Sequence, residues 1–508
     1  MNRRGFIQIS SVALLPLLLG IFPKRRKEVG AYTISVESNR KFGHLIRETS
    51  QCAPSREITT DYAIIGGGIA GLSAATQLNG KDFLLFEASE KLGGSSASGA
   101  WKDTYFSTGA HYDLAYPTNF GSEVIELLKA LNIVQFNPHT ELYEFVDEKY
   151  VIPANSLEQC FWKGDPLKDA LEGAKGVEEF KAILHQFEGK MPLPTRLIAE
   201  EFHYLDRMSF TDFLSSKMKL EEDLERRISY QMLDDWGGKC NEISALAGIH
   251  YYMCRPYEEK DVQVFSPPNG NSYFIEKMVG SLENLNAIHV NTLARSIRET
   301  ENGVEIEIIT PEKEIVRVNA KHLIYAGQKH TLNYLLKTEK PLFTNSYAPW
   351  MVINFVCKKG IEFATWQNDV LTNELEFLGF VNSTKQKTRS EEHDVFTAYY
   401  CFSEKDIARL VAFEENPEAI IQATLQLIER ETNRDLTPHL EHVNIHLMGH
   451  AMPIPKPNYL SFKDVPSYSK NIVFAGVDTG RLPLFYEACD SGIQAARKLL
   501  TIDEITTT

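Results

Sequence analysis

The stretch DYAIIGGGIAGLSAATQL, residues 61–78, predicts a strand, a tight glycine turn and a helix in immediate succession. The apolar run before the turn is typical of a buried parallel strand, and the alanine-rich run after it is typical of a helix. The turn itself has the spacing GxGxxG. Gly66 permits the sharp turn, Gly68 leaves room for a pyrophosphate against the backbone, and Gly71 lets the helix pack close to its strand.

The residues after this turn complete a nucleotide-binding pattern. Ile69 and Ala70 begin the helix, where free N–H groups favour negative charge. A second strand-like run, residues 82–86, ends at Glu87, which is followed by Ala88. An acidic residue at this distance accepts the paired hydroxyls of a ribose and repels a 2′-phosphate. The pattern therefore predicts a dinucleotide without that phosphate; the alternative is a strand, turn and helix that bind no ligand.

A second glycine pair follows in FEASEKLGGSSAS, where Gly93 and Gly94 precede Ser95. This segment resembles the corresponding pair of the glutathione-reductase-type FAD proteins, and in particular of the flavin amine oxidase superfamily. The resemblance implies that the cofactor is FAD. In those families an arginine commonly follows the pair. Ser95 stands in its place here, which removes a cationic contact to the phosphates or the flavin.

The other end of the chain resembles the carboxy-terminal FAD motif of the same superfamily, in NIVFAGVDTGRLPLFYEACDSGIQAARKLL, residues 471–500. The resemblance implies that Gly476 allows close approach of the ribityl chain. Asp478, one position beyond the family's usual glutamate, is expected to hydrogen-bond that chain. The start of the last helix, near Glu487 and Ala488, is expected to face O2 of the isoalloxazine.

The region between the motifs predicts the domain organisation. The resemblance also implies an adenine contact in this region. In the superfamily this contact is made three residues before a strand isoleucine; here that isoleucine is Ile297, so the matching residue is Ala294. We expect an α/β fold with a discontinuous Rossmann-like FAD-binding domain and an α+β substrate domain. The expected FAD-binding parts are 61–119, 267–335 and 441–508, and the substrate parts are 120–266, mainly helical, and 336–440.

Several residues are candidates for the substrate side of the flavin. The motif GAHY places His111 and Tyr112 where the resemblance expects the chain to approach the flavin, although a hydrogen-bonded structural histidine is the alternative. Tyr486 could supply one aromatic wall. Several amine oxidases hold a water near N5 with a lysine, and the sequence does not choose between Lys102, Lys329 and others. We count His111, Tyr112 and Tyr486 as the catalytic candidates.

Composition narrows the classes of function. At 508 residues, with 43% hydrophobic and 24% charged residues, the chain is long enough for two globular domains. Its net charge of −15 argues against a nucleic-acid partner, which would require a basic surface. The seven cysteines include no CxxC and show no metal-ligand spacing, so no metal site is predicted.

The amino terminus resembles a twin-arginine export signal, with Arg3 and Arg4 ahead of a modest apolar run at residues 7–22. We expect residues 1–31 to be this signal and 32–60 to be a linker. The twin-arginine export machinery would then be a partner, and the location periplasmic or exported. The alternative is membrane association through an uncleaved N-terminus, although the run is shorter than the roughly twenty residues of a span.

These observations predict an FAD-dependent oxidoreductase of the amine-oxidase type. A hydride would pass from a small organic substrate, an amine, to flavin N5, and oxygen or another electron acceptor would reoxidise the flavin. One alternative is an enzyme of the desaturase or porphyrinogen-oxidase type that acts on an apolar substrate. Another is an FAD-bound protein without catalysis.

Overall fold

The structure is a computed structural model that describes residues 26–29, 32–47, 53–254, 263–372, 376–386 and 392–507. The predicted twin-arginine signal lies outside the described residues, apart from the backbone of 26–29. Within the described ranges, no helix is both long and apolar enough to cross a membrane.

The described residues form 23 strands and 12 α-helices. The first strands are β1 (Arg26–Val29), β2 (Tyr32–Glu37), β3 (Arg56–Ile65), β4 (Phe83–Phe86), β5 (Ser98–Trp101), β6 (Thr104–Ser107), β7 (Asp113–Leu114), β8 (Val134–Asn137), β9 (Leu142–Phe145), β10 (Val151–Ile152), β11 (Glu158–Trp162) and β12 (Asp165–Leu167). The later strands are β13 (Val264–Phe265), β14 (Ile288–His289), β15 (Leu293–Thr300), β16 (Gly303–Ile309), β17 (Ile315–Tyr325), β18 (Tyr347–Lys358), β19 (Gln367–Val370), β20 (Phe377–Asn382), β21 (His393–Cys401), β22 (Leu440–Pro453) and β23 (Ile472–Phe474). The α-helices are α1 (Arg40–Gly43), α2 (Ile69–Gln77), α3 (Ser122–Ala130), α4 (Val177–His185), α5 (Phe210–Ser215), α6 (Glu222–Trp236), α7 (Ala245–Met253), α8 (Ser272–Ser281), α9 (Leu332–Leu335), α10 (Ile407–Glu415), α11 (Pro417–Thr432) and α12 (Phe485–Thr507).

A seven-stranded sheet of the described residues forms the nucleotide-binding domain, in the order β14-β4-β3-β17-β16-β15 with β23 beside β17. β3 lies between β4 and β17 and is parallel to both. The α2 helix links β3 to β4, which gives the βαβ unit predicted by the glycine turn. The hairpin of β15 and β16 extends the sheet beyond β17.

Helix α2 is packed between this sheet and the last helix. Residues 69–75 are all buried, which explains their small and apolar side chains. A side chain at Gly492 of α12 would collide with the carbonyl oxygen of Ala70. The carboxy-terminal helix therefore crosses α2 at its first turn, and the two FAD motifs meet there although they lie at opposite ends of the chain.

A nine-stranded sheet of the described residues forms the substrate domain, in the order β1-β2-β22-β18-β21-β20-β19-β11-β12. Successive side chains along a strand point to opposite faces of this sheet, and each face has its own hydrophobic core. Trp350 of β18 packs with helices α4 to α7 on one face, whereas Met351 and Ile353 pack with α11 on the other. The region 120–266 contains these helices, as predicted, and also supplies β11 and β12 at the edge of the sheet.

Residues 32–47 differ from the linker expected over 32–60. Tyr32–Glu37 forms β2, which joins the substrate sheet in parallel with β22. Ile34 is buried in the core on one face of that sheet. The alternation of apolar and polar residues in Tyr32–Glu37 is too short to predict a strand from the sequence. Its partner strand, β22, also lies near the other end of the chain. After β2, helix α1 and a 3₁₀ turn, His44–Arg47, form a segment that we call the strap (residues 38–47).

Strand β22 also differs from the expectation that residues from 441 onward return to the FAD-binding domain. It pairs with β18 along almost its whole length. A register shift opposite Ala348 and Trp350 lets the strand continue past Gly449. His450 therefore lies on β22.

Candidate functional site

The turn between β3 and α2 has the geometry of an anion site. Gly66 has a φ of +105°, which favours glycine. A side chain at Gly71 would collide with the Gly66 carbonyl oxygen, so the helix start is pressed against the strand end. By contrast, a Cβ on Gly68 would meet the Gly93 carbonyl oxygen only at 3.7 Å. The first turn of α2, with Ile69 and Ala70, is thus open to a cavity that these residues line.

Glu87 lies at the end of β4 and lines the same cavity, as does Ala88. Its Oε2 accepts a hydrogen bond from the Gly67 N–H at 2.7 Å, and its Oε1 accepts one from the Ser89 N–H at 2.7 Å. A carboxylate can accept about four hydrogen bonds, so two backbone donors leave capacity for others. The backbone therefore fixes the carboxylate at the cavity wall, where it can accept ribose hydroxyls.

The second glycine pair lies beside the first turn. The Gly93 N–H donates to the Gly67 carbonyl oxygen at 2.8 Å, and both Gly93 and Gly94 have a positive φ. The Ser95 carbonyl oxygen accepts from the Ala110 N–H at 2.6 Å. Gly93, Gly94 and Ser95 all line the cavity. The two motifs thus form one continuous wall.

Two further predicted contacts lie on this wall at its opposite ends. Ala294 is buried at the start of β15 and lines the cavity near Glu87, whose carbonyl oxygen accepts from the Thr292 N–H at 2.8 Å. Gly476, with a φ of +120°, follows β23 and lines the cavity as well. Their placement agrees with the adenine and ribityl ends of one extended ligand.

The Asp478 carboxylate, expected to hydrogen-bond the ribityl chain, lines the cavity and also accepts hydrogen bonds from other protein groups. Its Oδ2 accepts from the Lys329 backbone N–H at 2.8 Å and from the Tyr347 hydroxyl at 2.9 Å. Its Oδ1 lies 2.9 Å from the Lys329 ammonium. The buried lysine needs this counter-charge, and the contact of Asp478 with a ribityl chain stays a prediction.

Neither lysine considered for holding a water is placed to do so. The Lys329 ammonium donates to the carbonyl oxygens of Gly327 (2.8 Å) and Ala475 (2.6 Å) and to Asp478, which uses all three of its protons. Burial lowers the pKa of Lys329, and the charge of Asp478 opposes this shift. Lys102 lies outside the cavity, over the ring of Trp101.

The start of α12, expected to face O2 of the isoalloxazine, directs some side chains to the cavity and others to the core. Ala488 and Tyr486 line the cavity, and Tyr486 stacks on Phe120 with ring centroids 5.3 Å apart. The Glu487 side chain turns away from the cavity and is fully buried, with its Oε1 accepting from the Thr195 N–H at 2.6 Å. Its Oε2 lies 3.4 Å from Arg481. Glu487 therefore anchors the helix, and only the backbone of its first turn can face a flavin.

His111 and Tyr112 lie on the substrate side of the cavity. The Nε2 atom of His111 is 3.2 Å from the Gln386 amide nitrogen, and its Nδ1 is 2.7 Å from the Tyr399 hydroxyl. Burial lowers the pKa of His111 to about 4. The imidazole is thus neutral, accepts from Gln386 and donates to Tyr399. Tyr112 packs edge-on against Trp366, with centroids 5.4 Å apart.

The cavity has a volume of about 1400 Å³ and extends from the glycine turn to the substrate sheet. Trp236 and Tyr251 line it, whereas their neighbours His250 and Tyr252 do not. Sequence reasoning missed Asp369 of β19, which also lines it. Burial, followed by the charge of Glu158, raises the pKa of Asp369 to about 7.

These features together define an FAD-binding oxidoreductase. They are the glycine turn, the carboxylate placed for a ribose, and the second motif that meets them at the start of α12. The sequence matches the family of flavin-containing amine oxidoreductases over residues 69–500. The chain belongs to this family, and its cofactor is FAD. A search of curated proteins finds no match.

Solved structures agree with this fold. A redesigned triple mutant of putrescine oxidase aligns with a TM-score of 0.61 at 14% identity, covering 89% of this chain and 100% of that one. Cyclohexylamine oxidase from Brevibacterium oxydans IH-35A aligns with a TM-score of 0.61 at 13% identity, over 88% and 100%. A protoporphyrinogen oxidase-like protein from Exiguobacterium sp. 255-15 aligns with a TM-score of 0.58 at 14% identity, over 90% and 100%. At these identities the likeness shows the fold alone.

The residues present fit FAD. The open space beyond Gly68 suits a diphosphate, the Glu87 carboxylate suits a ribose, and Ala294 suits an adenine. Gly476 and Ala488 also line the cavity, and its volume of about 1400 Å³ exceeds the roughly 300 to 1,000 Å³ of an ordinary ligand pocket, which suits a large cofactor together with a substrate.

Proposed function

We propose that this FAD-dependent oxidoreductase oxidises a small cationic amine. The observation that carries the proposal is the negative charge of the cavity wall formed by β19 and α6, which we call the acidic wall or substrate wall. Asp369 on β19 and Asp234 and Asp235 on α6 line the cavity there. None of the described lysines or arginines that line the cavity comes from this wall; they come from the strap and from Lys91.

A protonated amine is the ligand that this wall fits best. Burial disfavours the charged form of Asp369, and a cation beside it would favour that form again. A porphyrinogen carries carboxylates, which acidic residues repel. A hydrocarbon substrate would displace the water that hydrates the carboxylates and would offer them no hydrogen bonds or charge in return. The loss of hydration would cost several kcal/mol of binding free energy for a charged group. The charge pattern therefore favours an amine over the substrates of the desaturase and porphyrinogen-oxidase classes.

Aromatic side chains support the same substrate class. Trp236, Tyr251, Trp350, Tyr399 and Tyr112 line the cavity. Their ring faces attract ammonium groups, by about 0.5 to 2 kcal/mol depending on desolvation. Their bulk also excludes water from the space beside the flavin, which strengthens the electrostatic contacts within it.

The side chains of this chain bind and orient the substrate. FAD, when bound, supplies the chemistry that accepts a hydride from the carbon next to the amine nitrogen. The neutral His111 fixes the Tyr399 hydroxyl in the cavity wall and carries no charge that would repel a cationic amine. Asp369 would hold the ammonium group of the substrate.

Matched ligands test the charge preference. Perturbation of the flavin absorbance would be titrated with a primary amine, with the alcohol of the same carbon skeleton and with the corresponding carboxylate. We expect the amine to bind at least about tenfold more tightly than the alcohol, since charge-assisted hydrogen bonds are stronger than neutral ones. Equal binding of all three, or preference for the carboxylate, would contradict the proposal.

We also propose that the chain is exported with FAD bound by the twin-arginine machinery. The proposal rests on Arg3 and Arg4 ahead of the apolar run. Because the FAD site is assembled from both ends of the chain, the cofactor can be bound only after folding, and this route carries folded proteins. Changing both arginines to lysine should keep the protein in the cytoplasm. Wild-type protein that stays with the membrane fraction would favour the anchor instead.

A further inference from the structure

We propose that the strap binds the diphosphate of FAD through Lys41 and Arg47, in place of the arginine that Ser95 replaces. The strap would thus be part of the cofactor site, supplied by a segment ahead of the nucleotide-binding fold. The inference rests on where the strap lies and on the cationic side chains in the cavity.

The strap is held against the cavity by contacts along its length. The Asn39 amide donates to the Ser89 hydroxyl at 2.6 Å, just after the ribose-binding carboxylate. The Arg47 guanidinium lies 5.6 Å from the ring centroid of Tyr334, which lines the cavity on another side. The strap therefore extends along the cavity that Gly68 and Gly94 also line.

The diphosphate of FAD carries two negative charges, and the glycine motifs offer it only N–H groups. Among the described residues lining the cavity, the lysines and arginines are Arg40, Lys41, Arg47 and Lys91. Three of these four belong to the strap. Most of the cationic side chains that line the cavity and could pair with a dianion inside it are therefore on this segment.

Two of the four cationic side chains are paired with carboxylates. Arg40 lies 3.0 Å from Glu414 of α10. Lys91 lies 3.7 Å from Glu37 and donates to the Ser98 carbonyl oxygen at 2.9 Å. The Lys41 and Arg47 side chains are exposed at the rim of the cavity. They supply the charge that can turn toward a phosphate.

The charge of Arg47 already acts inside the cavity. His450 and His330 both line the cavity and stack with centroids 4.0 Å apart. Burial, and next the charge of Arg47, lower the pKa of His450. A cation whose field reaches these buried rings also reaches an anion bound nearby.

The test compares two double variants of the full-length, FAD-loaded protein. Lys41→Gln with Arg47→Gln removes the two strap charges. Lys181→Gln with Arg434→Gln removes the same net charge from exposed positions outside the cavity, and serves as the control. The readout is the rate of FAD release on dilution, followed by flavin fluorescence at low and at high salt.

We expect the strap variant to release FAD at least about tenfold faster than the control at low salt, with the difference shrinking at high salt because exposed charges are screened. Lys41→Arg with Arg47→Lys should release FAD at nearly the wild-type rate. Equal release from strap and control variants would overturn the proposal, and so would equally fast release from the charge-retaining variant. If the strap variant does not fold, wild-type release that is independent of salt would overturn it.

Discussion

The ammonium of Lys329 lies 2.9 Å from the carboxylate of Asp478, and both side chains are buried. Lys329 follows β17 and Asp478 follows β23, so the pair joins two loops that contact the cofactor cavity. The ion pair therefore connects the loop after β17 to the loop after β23, which belongs to the carboxy-terminal FAD motif.

Breaking this pair should destabilise the fold. Lys329→Met leaves a buried carboxylate without its counter-charge and should lower the free energy of unfolding by about 3 to 5 kcal/mol. Lys329→Met with Asp478→Leu removes both charges and should cost less than the single change. Urea unfolding measures both, and a double variant less stable than Lys329→Met would contradict the assignment.

Glu87→Ala should weaken FAD binding by about 1 to 3 kcal/mol, since ribose hydroxyls would be left without an acceptor. Glu87→Gln, which keeps the size and one acceptor oxygen, should fall between this variant and the wild type. Flavin content after dialysis against FAD-free buffer gives the answer. Full occupancy in Glu87→Ala would count against the ribose role.

Gly68→Val and Gly71→Val should fail in different ways. A Cβ at Gly68 would make only an ordinary contact with the Gly93 carbonyl oxygen, at 3.7 Å, so the valine variant should fold and yet bind no FAD. The Cβ of Gly71 collides with the Gly66 carbonyl oxygen, so this variant should lose the fold itself. Circular dichroism and flavin absorbance separate the outcomes. FAD retained in Gly68→Val would refute the proposed position of the diphosphate.

Asp369→Asn should remove a pH dependence of amine binding. Because burial raises the pKa of Asp369 to about 7, the carboxylate becomes neutral as the pH falls through this value. The KM for an amine should therefore rise below about pH 7 in the wild type. The variant should show a high KM at every pH. A wild-type KM unchanged between pH 8 and pH 6 would contradict this role of Asp369, with those two values chosen about one unit either side of the pKa.

His111 should make the fold sensitive to acid. Its pKa is about 4 when folded and about 6.5 when exposed, so the unfolded chain takes up the proton first. The stability that depends on a neutral His111 is complete above about pH 6.5 and declines as the pH falls toward 4. His111→Gln should flatten this part of the stability profile. An equally steep decline in the variant would assign the acid sensitivity to other groups.

The part of the cavity wall formed by the two glycine motifs could be predicted from the sequence, because the conformation of each motif depends on the spacing of residues within it. Gly66, Gly71 and Glu87 act through local spacing, and the structure places them accordingly. Asp478 was assigned by a one-residue shift within a motif. The sequence could not show that Lys329, far away in the chain, would take up its carboxylate.

The substrate wall and the strap carry no comparable signal. Asp369 lies in a four-residue strand between β20, which follows it in the chain, and β11, which comes from a distant segment. The strap follows a strand that pairs with β22 near the carboxy terminus, so its role appears only in the folded chain. The motif also does not show which side chains of the last helix reach the cavity: successive helical residues point about 100° apart, so Glu487 turns away while Ala488 faces the cavity.

The central claim is that the bound flavin oxidises a cationic amine held by the acidic wall. The most direct measurement is the absorbance spectrum of the purified, FAD-loaded protein under anaerobic conditions, before and after adding primary amines, diamines and amino acids. We predict that the oxidised flavin bands bleach with at least one cationic amine, and that Asp369→Asn requires a much higher concentration of it. Flavin that stays oxidised with every amine, in protein that binds FAD fully, would contradict the claim.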